Sequence, residues 1–239
     1  PTSAPGGEQR GGARHHAWQE FLASAAPATP SVSPEPIFAQ LPFDHPLAIL
    51  YSSGTTGLPK AIVHSAGGTL LQHRKEHVLH ADLRPGDRFF YFTTCGWMMW
   101  NWLLSGLAEG AALVLYDGSP VARPDILWQM AAAEGVTHFG ASARYFAQLE
   151  ADGIEPAADH DLSALRCVLS TGSPLSPASF RWIYRSVGAE LHLASISGGT
   201  DIVSCFVLGN PAGAVCEGEL QVPGLGMAVE IHAPGGDGI

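Results

Sequence analysis

From residue 41 onward the sequence alternates short apolar runs with helical stretches, and this alternation constrains the fold more than any other feature. The predicted strands span residues 47–51, 61–64, 88–92, 112–116, 136–139, 165–169 and 191–194. The predicted helices span residues 68–80, 97–109, 124–134, 143–149 and 177–187. Strands that alternate with helices are typical of a largely parallel sheet covered by helices on both faces. The predicted fold class is therefore α/β.

The two ends of the chain differ from this alternating region in composition and in the pattern of apolar residues. Residues 1–40 are rich in Pro, Gly, Ala and Ser and contain one helical candidate at residues 16–25, so we expect a linker or an edge segment there. Residues 41–239 are expected to form part of one domain. After Asp201 the pattern changes to short β elements, with candidate strands at residues 218–222 and 228–231.

The composition is apolar and poor in charge. Hydrophobic residues make up 46% of the chain and charged residues only 14%, whereas ordinary soluble domains carry about 25% charged residues. This scarcity indicates that part of the surface is normally covered by protein outside this chain. The formal charge of −10, with no basic cluster longer than residues 73–75, argues against nucleic acid binding.

The cysteine pattern favours a reducing, cytoplasmic environment, because Cys95, Cys167, Cys205 and Cys216 form no C-x-x-C pair. The first residues lack the basic and apolar segments of a signal peptide. Residues 89–108 carry no formal charge, but Thr, Gly, Asn and Ser interrupt them, and their pattern changes from strand to helix. That pattern argues against a membrane span.

Several polar loops follow predicted strands directly. They span residues 52–60, 93–97, 170–176 and 195–201. Ligands of open α/β sheets bind at the carboxyl ends of the strands. The sequence therefore predicts a composite site to which several of these loops contribute.

The first of these loops, in the string "YSSGTTGLPK" at residues 51–60, has the composition of an anion-binding loop. Glycines let backbone amides approach an anion, hydroxyls donate hydrogen bonds, and Lys60 supplies positive charge. The loop does not fit the G-x-x-x-x-G-K-[ST] template, because Pro59 precedes the lysine and Ala61 follows it. From composition alone, an ordinary polar hairpin loop stays open as the alternative.

Taken as strings, three segments resemble motifs of the adenylate-forming enzymes, the acyl-CoA synthetase superfamily. "YSSGTTGLPK" resembles the loop that holds the β- and γ-phosphates of ATP, and "STGSPLSPASFRW" at residues 170–182 resembles the segment that lies against adenine. "SISGGTD" at residues 195–201 is similar to the motif whose threonine contacts the α-phosphate and whose final carboxylate binds Mg²⁺. The resemblance covers roughly residues 40–235 and implies part of the large N-terminal domain of such an enzyme.

The resemblance also implies roles for individual residues. Lys60, Thr200 and Asp201 take the catalytic positions, and Asp201 takes the metal position, although aspartate is one methylene shorter than the glutamate usual there. The implied nucleotide-binding residues are Ser52, Ser53, Gly54, Thr55, Thr56, Gly57, Lys60, Gly172, Ser173, Pro174, Ser197, Gly199 and Thr200.

The implied acyl pocket consists of Trp97, Met98, Met99, Thr171 and Gly198. In acetate-activating members the position of Gly198 carries a tryptophan that shortens the pocket, so glycine implies room for a longer acid. Methionine and tryptophan on a helix are also typical of plain core, which is the alternative interpretation. Within the superfamily the strings are most similar to the acetoacetate-activating branch.

The implied reaction is the ATP-dependent activation of acetoacetate to an acyl-adenylate, followed by transfer to the thiol of coenzyme A. ATP, Mg²⁺ and coenzyme A are therefore the expected cofactors and co-substrates, and the N- and C-terminal parts of the same enzyme are the expected partners. The small C-terminal domain with its catalytic lysine lies outside the resemblance. A ligase for another short or branched acid and a non-catalytic nucleotide-binding fragment stay open as alternatives. A serine hydrolase is disfavoured because no G-x-S-x-G elbow occurs.

Histidines also recur at helical spacing, since His73, His77 and His80 share one face of the predicted helix at residues 68–80. Arg74 rules out the H-E-x-x-H metal motif. We therefore predict a solvated helix face there. His138 is predicted to be a strand residue without a chemical role.

Overall fold

The computed structural model describes residues 19–20, 38–52, 57–120, 123–232 and 235. The chain divides into two units, Pro1–Leu41 and Pro42–Ile239. In the first unit only Gln19 and Glu20 are described as helical, so most of the predicted linker and of its helical candidate lies outside the described residues. Every element below belongs to the second unit.

The second unit alternates strands and helices much as the sequence predicts. Its strands are β1 (Pro46–Ser52), β2 (Lys60–Ser65), β3 (Arg88–Tyr91), β4 (Ala112–Val114), β5 (His138–Ser142), β6 (Cys167–Thr171), β7 (His192–Ser195), β8 (Ser197–Gly199), β9 (Ser204–Leu208) and β10 (Val222–Pro223). Its helices are α1 (Ala66–Leu79), α2 (Met98–Ser105), α3 (Ile126–Glu134), α4 (Ala143–Ala151), α5 (Pro156–Asp159) and α6 (Pro177–Ser186), and a 3₁₀ turn, Gly106–Glu109, extends α2.

The centre of this unit is a five-stranded sheet in the order β4-β3-β5-β6-β7. All four strand pairs in it are parallel. Because successive strand residues point to opposite faces, Phe90, Phe139 and Val168 pack with helices α3, α4 and α6, whereas Phe89 and Tyr91 pack with α2 and β9. The predicted α/β class, with a largely parallel sheet between two helical layers, is confirmed.

Two smaller antiparallel sheets accompany the parallel sheet. Strands β1 and β2 form a hairpin in which Ser52 pairs with Lys60. Strands β8, β9 and β10 form a three-stranded sheet in that sequence of neighbours. Short strands are therefore present after Asp201, as predicted, namely β9 and β10.

Several predicted details are wrong. Residues 228–231 form no strand, and the strand predicted at residues 218–222 is limited to β10. Pro124 lies in a turn before α3 rather than in its first helical turn. Strand β4 ends at Val114 rather than at residue 116, and it is an edge strand that pairs with β3 alone.

The predicted solvated face of helix α1 is also wrong. His73 and His77 are fully buried and His80 nearly so, while Leu71 and Leu79 on the same helix are exposed. Burial of the three imidazoles is tolerated because each forms a hydrogen bond with a backbone carbonyl. The carbonyl belongs to Val203 for His73, to Trp102 for His77 and to Gly209 for His80. His138 lies buried in β5 and bonds the carbonyl of Ala81.

Acidification is expected to destabilise the fold because these buried histidines must stay neutral. Burial lowers the pKa of His77 from its ordinary value of 6.5 to about 3, and burial also lowers the pKa of His73 and of His138. Between pH 6.5 and about 3 the unfolded chain binds a proton at His77 that the folded chain does not bind. The free energy of unfolding therefore falls as the pH falls, by about 1.4 kcal/mol per pH unit for one such group.

Thermal unfolding of the protein at pH 7 and pH 5 measures this effect. The midpoint should fall at pH 5, and it should fall less in His77→Asn, which removes one titrating group. An unchanged pH dependence in His77→Asn would contradict the assignment.

The long uncharged stretch at residues 89–108 splits into β3, α2 and most of the 3₁₀ turn. Within the described part of the chain, no helix combines the length and apolarity needed to cross a bilayer.

Candidate active site

Three of the predicted polar loops lie at the carboxyl edge of the parallel sheet. They follow β3, β6 and β7, and the last of them contains β8 and the turn at residues 200–203. Strands β5, β6 and β7 are direct neighbours in the sheet, and β3 lies next to β5. The composite character predicted for the site therefore has a structural basis in the strand order.

A first cavity of about 350 Å³ opens between the loops after β6 and β7. Its lining is Thr171, Gly172, Ser173, Pro174, Leu175, Ser195, Ile196, Ser197, Gly198, Gly218 and Leu220. Gly172 has a φ of +87°, a conformation that side chains with a Cβ rarely adopt. Glycine is therefore the residue that lets the chain turn from the end of β6 into this cavity.

A second cavity of about 210 Å³ adjoins the first. Its lining is Trp97, Met98, Met99, Thr171, Gly172, Gly198, Gly199, Thr200, Ser204 and Cys205. Thr171, Gly172 and Gly198 line both cavities. All five residues predicted for the acyl pocket thus lie around one small cavity, which shares a wall with the cavity that contains the residues predicted for adenine.

The two loops that form the shared wall are tied together by hydrogen bonds. The hydroxyl of Thr171 donates to the carbonyl of Ile196 at 2.7 Å, and the amide of Ile196 donates to the carbonyl of Ser170 at 2.8 Å. The hydroxyl of Thr171 is therefore engaged within the protein. Thr171 therefore shapes the walls of the two cavities, and its hydroxyl proton is not available to donate to a ligand.

The predicted phosphate loop belongs to the β1–β2 hairpin rather than to the parallel sheet. Residues 53–56, which include Ser53, Gly54, Thr55 and Thr56, lie outside the described residues. Ser52 is half-buried and ends β1, and Lys60 is exposed and begins β2. Lys60 borders neither cavity described above.

One hydrogen bond connects this hairpin with the turn that carries Thr200. Nε2 of His64, on β2, lies 2.9 Å from the carbonyl oxygen of Thr200. Side chains alternate along a strand, so Lys60 and His64 extend from the same face of the hairpin. This arrangement directs Lys60 toward the side of the hairpin on which Thr200 lies.

Asp201 lies in the turn between β8 and β9 and is exposed. Neither Asp201 nor Lys60 has a side-chain partner among the described residues. The described part of the chain contains no group of three or more His, Cys, Asp or Glu that could hold a metal ion. Mg²⁺ commonly uses only one or two protein carboxylates and completes its shell with water and phosphate oxygens, so a free carboxylate at this turn fits an ion delivered with a nucleotide.

Gly198 is required by a close approach of two strands. It pairs with Cys205 across an irregularity in the β8–β9 ladder. A Cβ at Gly198 would lie 2.2 Å from the carbonyl oxygen of Ser204 and 2.9 Å from the Cα of Cys205. The missing Cβ therefore faces the backbone of β9, and the widening of the acyl pocket by this glycine stays a prediction.

Sequence reasoning missed several residues that line the cavities. Ser204 and Cys205 border the smaller cavity from β9, and Leu175, Gly218 and Leu220 border the larger one. The pattern of "SISGGTD" predicts a loop and does not predict the return strand β9, which places Ser204 and Cys205 here. The apolar run "VSCFVL" at residues 203–208 is the signal that could have revealed it.

Comparisons with known proteins agree with this geometry. A family model described as "AMP-binding enzyme" matches residues 9–230. An acetoacetyl-coenzyme A synthetase of Rhizobium meliloti (strain 1021) is 63% identical over 82% of this chain and 30% of its own length. The acetoacetyl-CoA synthetase of Mus musculus is 51% identical over 88% of this chain and 31% of its own length. A malonamoyl-CoA synthetase of Penicillium aethiopicum is 48% identical over 95% of this chain and 33% of its own length.

Solved structures agree as well. An acetoacetyl-CoA synthetase from Streptomyces lividans matches with a TM-score of 0.81 and 53% identity, over 87% of this chain and 33% of that chain. An anthranilate CoA ligase in complex with anthranoyl-AMP matches with a TM-score of 0.73 at 24% identity over 84% of this chain and 38% of that chain, which shows the fold alone. The chain spans about 30% of the length of the curated relatives described above. Because the family model matches residues 9–230, this chain belongs to the AMP-binding enzyme family.

Proposed function

We propose that this chain forms the nucleotide- and acid-binding part of an AMP-forming acid–thiol ligase that activates acetoacetate. The observation that carries the proposal is the pair of adjoining cavities that share Thr171, Gly172 and Gly198. An acyl-adenylate has the corresponding shape, with an adenosine at one end and a short acyl group at the other. In this proposal the larger cavity takes the nucleotide, the smaller cavity takes the acid, and the phosphate lies near the shared wall.

The proposed first step joins two anions, a carboxylate and the α-phosphate of ATP, and releases pyrophosphate. The acid is already ionised at neutral pH, so the step needs positioning and positive charge rather than a general base. Lys60 and the backbone of Gly57 would neutralise the departing phosphates, and Thr200 would contact the α-phosphate. Asp201 would hold Mg²⁺, which supplies further positive charge when bound. In the second step the thiol of coenzyme A replaces AMP on the acyl carbon.

The proposed substrate class rests on the names of the relatives, and the smaller cavity has room for an acid of that class. Acetoacetyl and malonamoyl groups have the same number of non-hydrogen atoms, and both carry a carbonyl at the third carbon. Relatives named for these two groups match this chain at 51–63% and 48% identity. A cavity of about 210 Å³ has room for an acid of this size, and acetoacetate, the acid for which two of these relatives are named, is the proposed substrate; another short acid is the alternative.

Acid-dependent exchange of pyrophosphate into ATP tests this proposal with the full-length enzyme. Acetoacetate should give the highest kcat/KM when it is compared with acetate, butyrate and isobutyrate. The exchange should require Mg²⁺. A clear preference for acetate would contradict the assigned pocket, and ATP binding without exchange for any acid would support a non-catalytic nucleotide-binding protein instead.

The rest of the enzyme would cover two apolar faces of this chain. On the β1–β2 hairpin, Leu47, Ile49, Tyr51 and Val63 are each more than half exposed. Leu71 and Leu79 are similarly exposed on α1, whose buried residues are all polar. Because relatives are about three times longer than this chain, the proposed occupants of these faces are the remaining parts of the same polypeptide. All four cysteines are free, which fits the proposed cytoplasmic location.

A further inference from the structure

The strongest unexplained feature of the chain is a buried carboxylate behind the smaller cavity. Glu76, on helix α1, is 0% exposed. Its Oε1 accepts from the hydroxyl of Ser204 at 2.5 Å, from the side-chain amide of Gln72 at 3.0 Å and from the backbone amide of Cys205 at 3.3 Å. Its Oε2 accepts from the indole of Trp102 at 2.8 Å. All four partners donate to it, so both of its oxygens act as acceptors, and Nζ of Lys75 lies 3.8 Å from Oε1.

Two of these four partners belong to the substrate cavity. Ser204 and Cys205 begin strand β9 and line the smaller cavity, and Cys205 pairs with Gly198 on the opposite strand. Glu76 is therefore bonded to the strand that stands against Gly198. The carboxylate itself does not line the cavity, so it acts on the site through the hairpin.

A second contact from the same helix holds the turn of this hairpin. Nε2 of His73 bonds the carbonyl of Val203, and its ring must carry the proton there because the partner is a carbonyl. Val203 has a φ of +49°, which is unusual for a β-branched residue. Such a conformation persists only where the surroundings hold it. The turn that carries Thr200 and Asp201 thus ends at a residue that α1 holds in place.

We propose that Glu76 is a positioning residue of the acid-binding site. Through Ser204 and Cys205 it sets the position of the β8–β9 hairpin, and with it the wall formed by Gly198 and Gly199 and the turn at Thr200. This inference rests on the proposed function, because the affected step is the activation of the acid. Its expected signature is a loss of kcat/KM for the acid while the KM for ATP changes little.

Glu76→Gln is the primary test in the full-length enzyme. The variant keeps the side-chain volume, but its amide nitrogen must face either the backbone amide of Cys205 or the indole of Trp102, neither of which can accept a hydrogen bond. We expect kcat/KM for the acid in pyrophosphate exchange to fall by about 10- to 100-fold, the scale produced by displacement of a site by a fraction of an ångström to one ångström. Ser204→Ala removes the shortest of these hydrogen bonds and should give a similar loss. The double variant should cost about as much as either single variant.

Trp102→Phe is the matched control, because it removes a partner of Oε2 and leaves both contacts to β9 intact. It should lower the melting temperature without lowering kcat/KM for the acid. Hydrogen exchange of residues 197–208 gives a readout that is independent of activity: it should speed up in Glu76→Gln and in Ser204→Ala but not in Trp102→Phe.

The possible results distinguish a failure of the inference on Glu76 from a failure of the proposed function. Loss of kcat/KM in Trp102→Phe equal to that in Glu76→Gln would overturn the inference and indicate a general loss of stability. Unchanged kinetics in both Glu76→Gln and Ser204→Ala would also overturn it. If Glu76→Gln fails to fold, Ser204→Ala decides alone. Absence of exchange in the wild-type enzyme with every acid overturns the proposed function and this inference with it, whereas an active wild type with unaffected variants overturns the inference only.

Discussion

Replacement of Asp201 by asparagine in the full-length enzyme is expected to lower acid-dependent pyrophosphate exchange by about 100-fold or more. Asp201 is exposed at the turn between β8 and β9 and has no partner among the described residues, so no structural role explains a carboxylate there. In the proposed function it holds the Mg²⁺ that offsets negative charge at the α-phosphate. Asparagine keeps the size of the side chain and removes the charge that the ion requires. The measurement is the exchange rate over a range of Mg²⁺ concentrations.

Two companion variants make this result interpretable. Asp201→Glu restores a carboxylate and should recover a large part of the rate, with an altered dependence on Mg²⁺. Glu190 is exposed and lies just before β7, at the amino ends of the strands, whereas the cavities lie at their carboxyl ends. Glu190→Gln should therefore leave the rate unchanged. Normal exchange in Asp201→Asn at every Mg²⁺ concentration would contradict the metal assignment.

Replacement of Gly198 by alanine is expected to reduce both stability and activity. The added Cβ would lie 2.2 Å from the carbonyl oxygen of Ser204, and this neighbour is backbone rather than a flexible side chain. Relief of such a clash requires the β8–β9 hairpin to move, at a cost of about 2–3 kcal/mol in the free energy of unfolding. Because Gly198 lines both cavities, the same movement should lower kcat/KM for the acid by about 100-fold.

Gly199 supplies the steric comparison for the stability measurement. A Cβ there would lie 3.8 Å from the ring of Phe206, an ordinary contact distance. Thermal unfolding should therefore show a clearly lower midpoint for Gly198→Ala and a much smaller change for Gly199→Ala. Equal midpoints for the two variants would contradict the close approach of β8 and β9.

The sequence predicts the parallel core well because hydrophobic runs and turn chemistry agree there. The ends of β5 and β6 are the instructive exceptions. Both strands extend beyond the predicted limits into polar residues, so that Ser142 pairs with Thr171. Hydroxyl side chains and a following glycine are typical of a loop, yet the neighbouring strands continue the ladder through them. These last residues of β5 and β6 contribute to the edge at which the site lies.

Helix α1 shows what a single sequence cannot supply. Its histidines and Glu76 have the composition of a solvated face, but they are buried and form hydrogen bonds with partners from α2 and β9. Those partners lie roughly 30 and 130 residues away along the chain. Local periodicity carries no information on such long-range partners, so it predicts neither the burial of the histidines nor the hydrogen bonds of Glu76 to strand β9. The exposed leucines of α1 show that its apolar face points outward and its polar face points into the protein.

The central claim is that the loops after β3, β6 and β7 form one continuous site for an acyl-adenylate. A crystal structure of the full-length enzyme with a non-hydrolysable acetoacetyl-adenylate analogue tests it most directly. We predict adenine against Gly172, Ser173 and Pro174, with the acyl group between Met99 and Gly198 and the phosphate mimic near Thr200. An analogue bound away from both cavities, or one whose acyl end points away from Met99 and Gly198, would contradict the account.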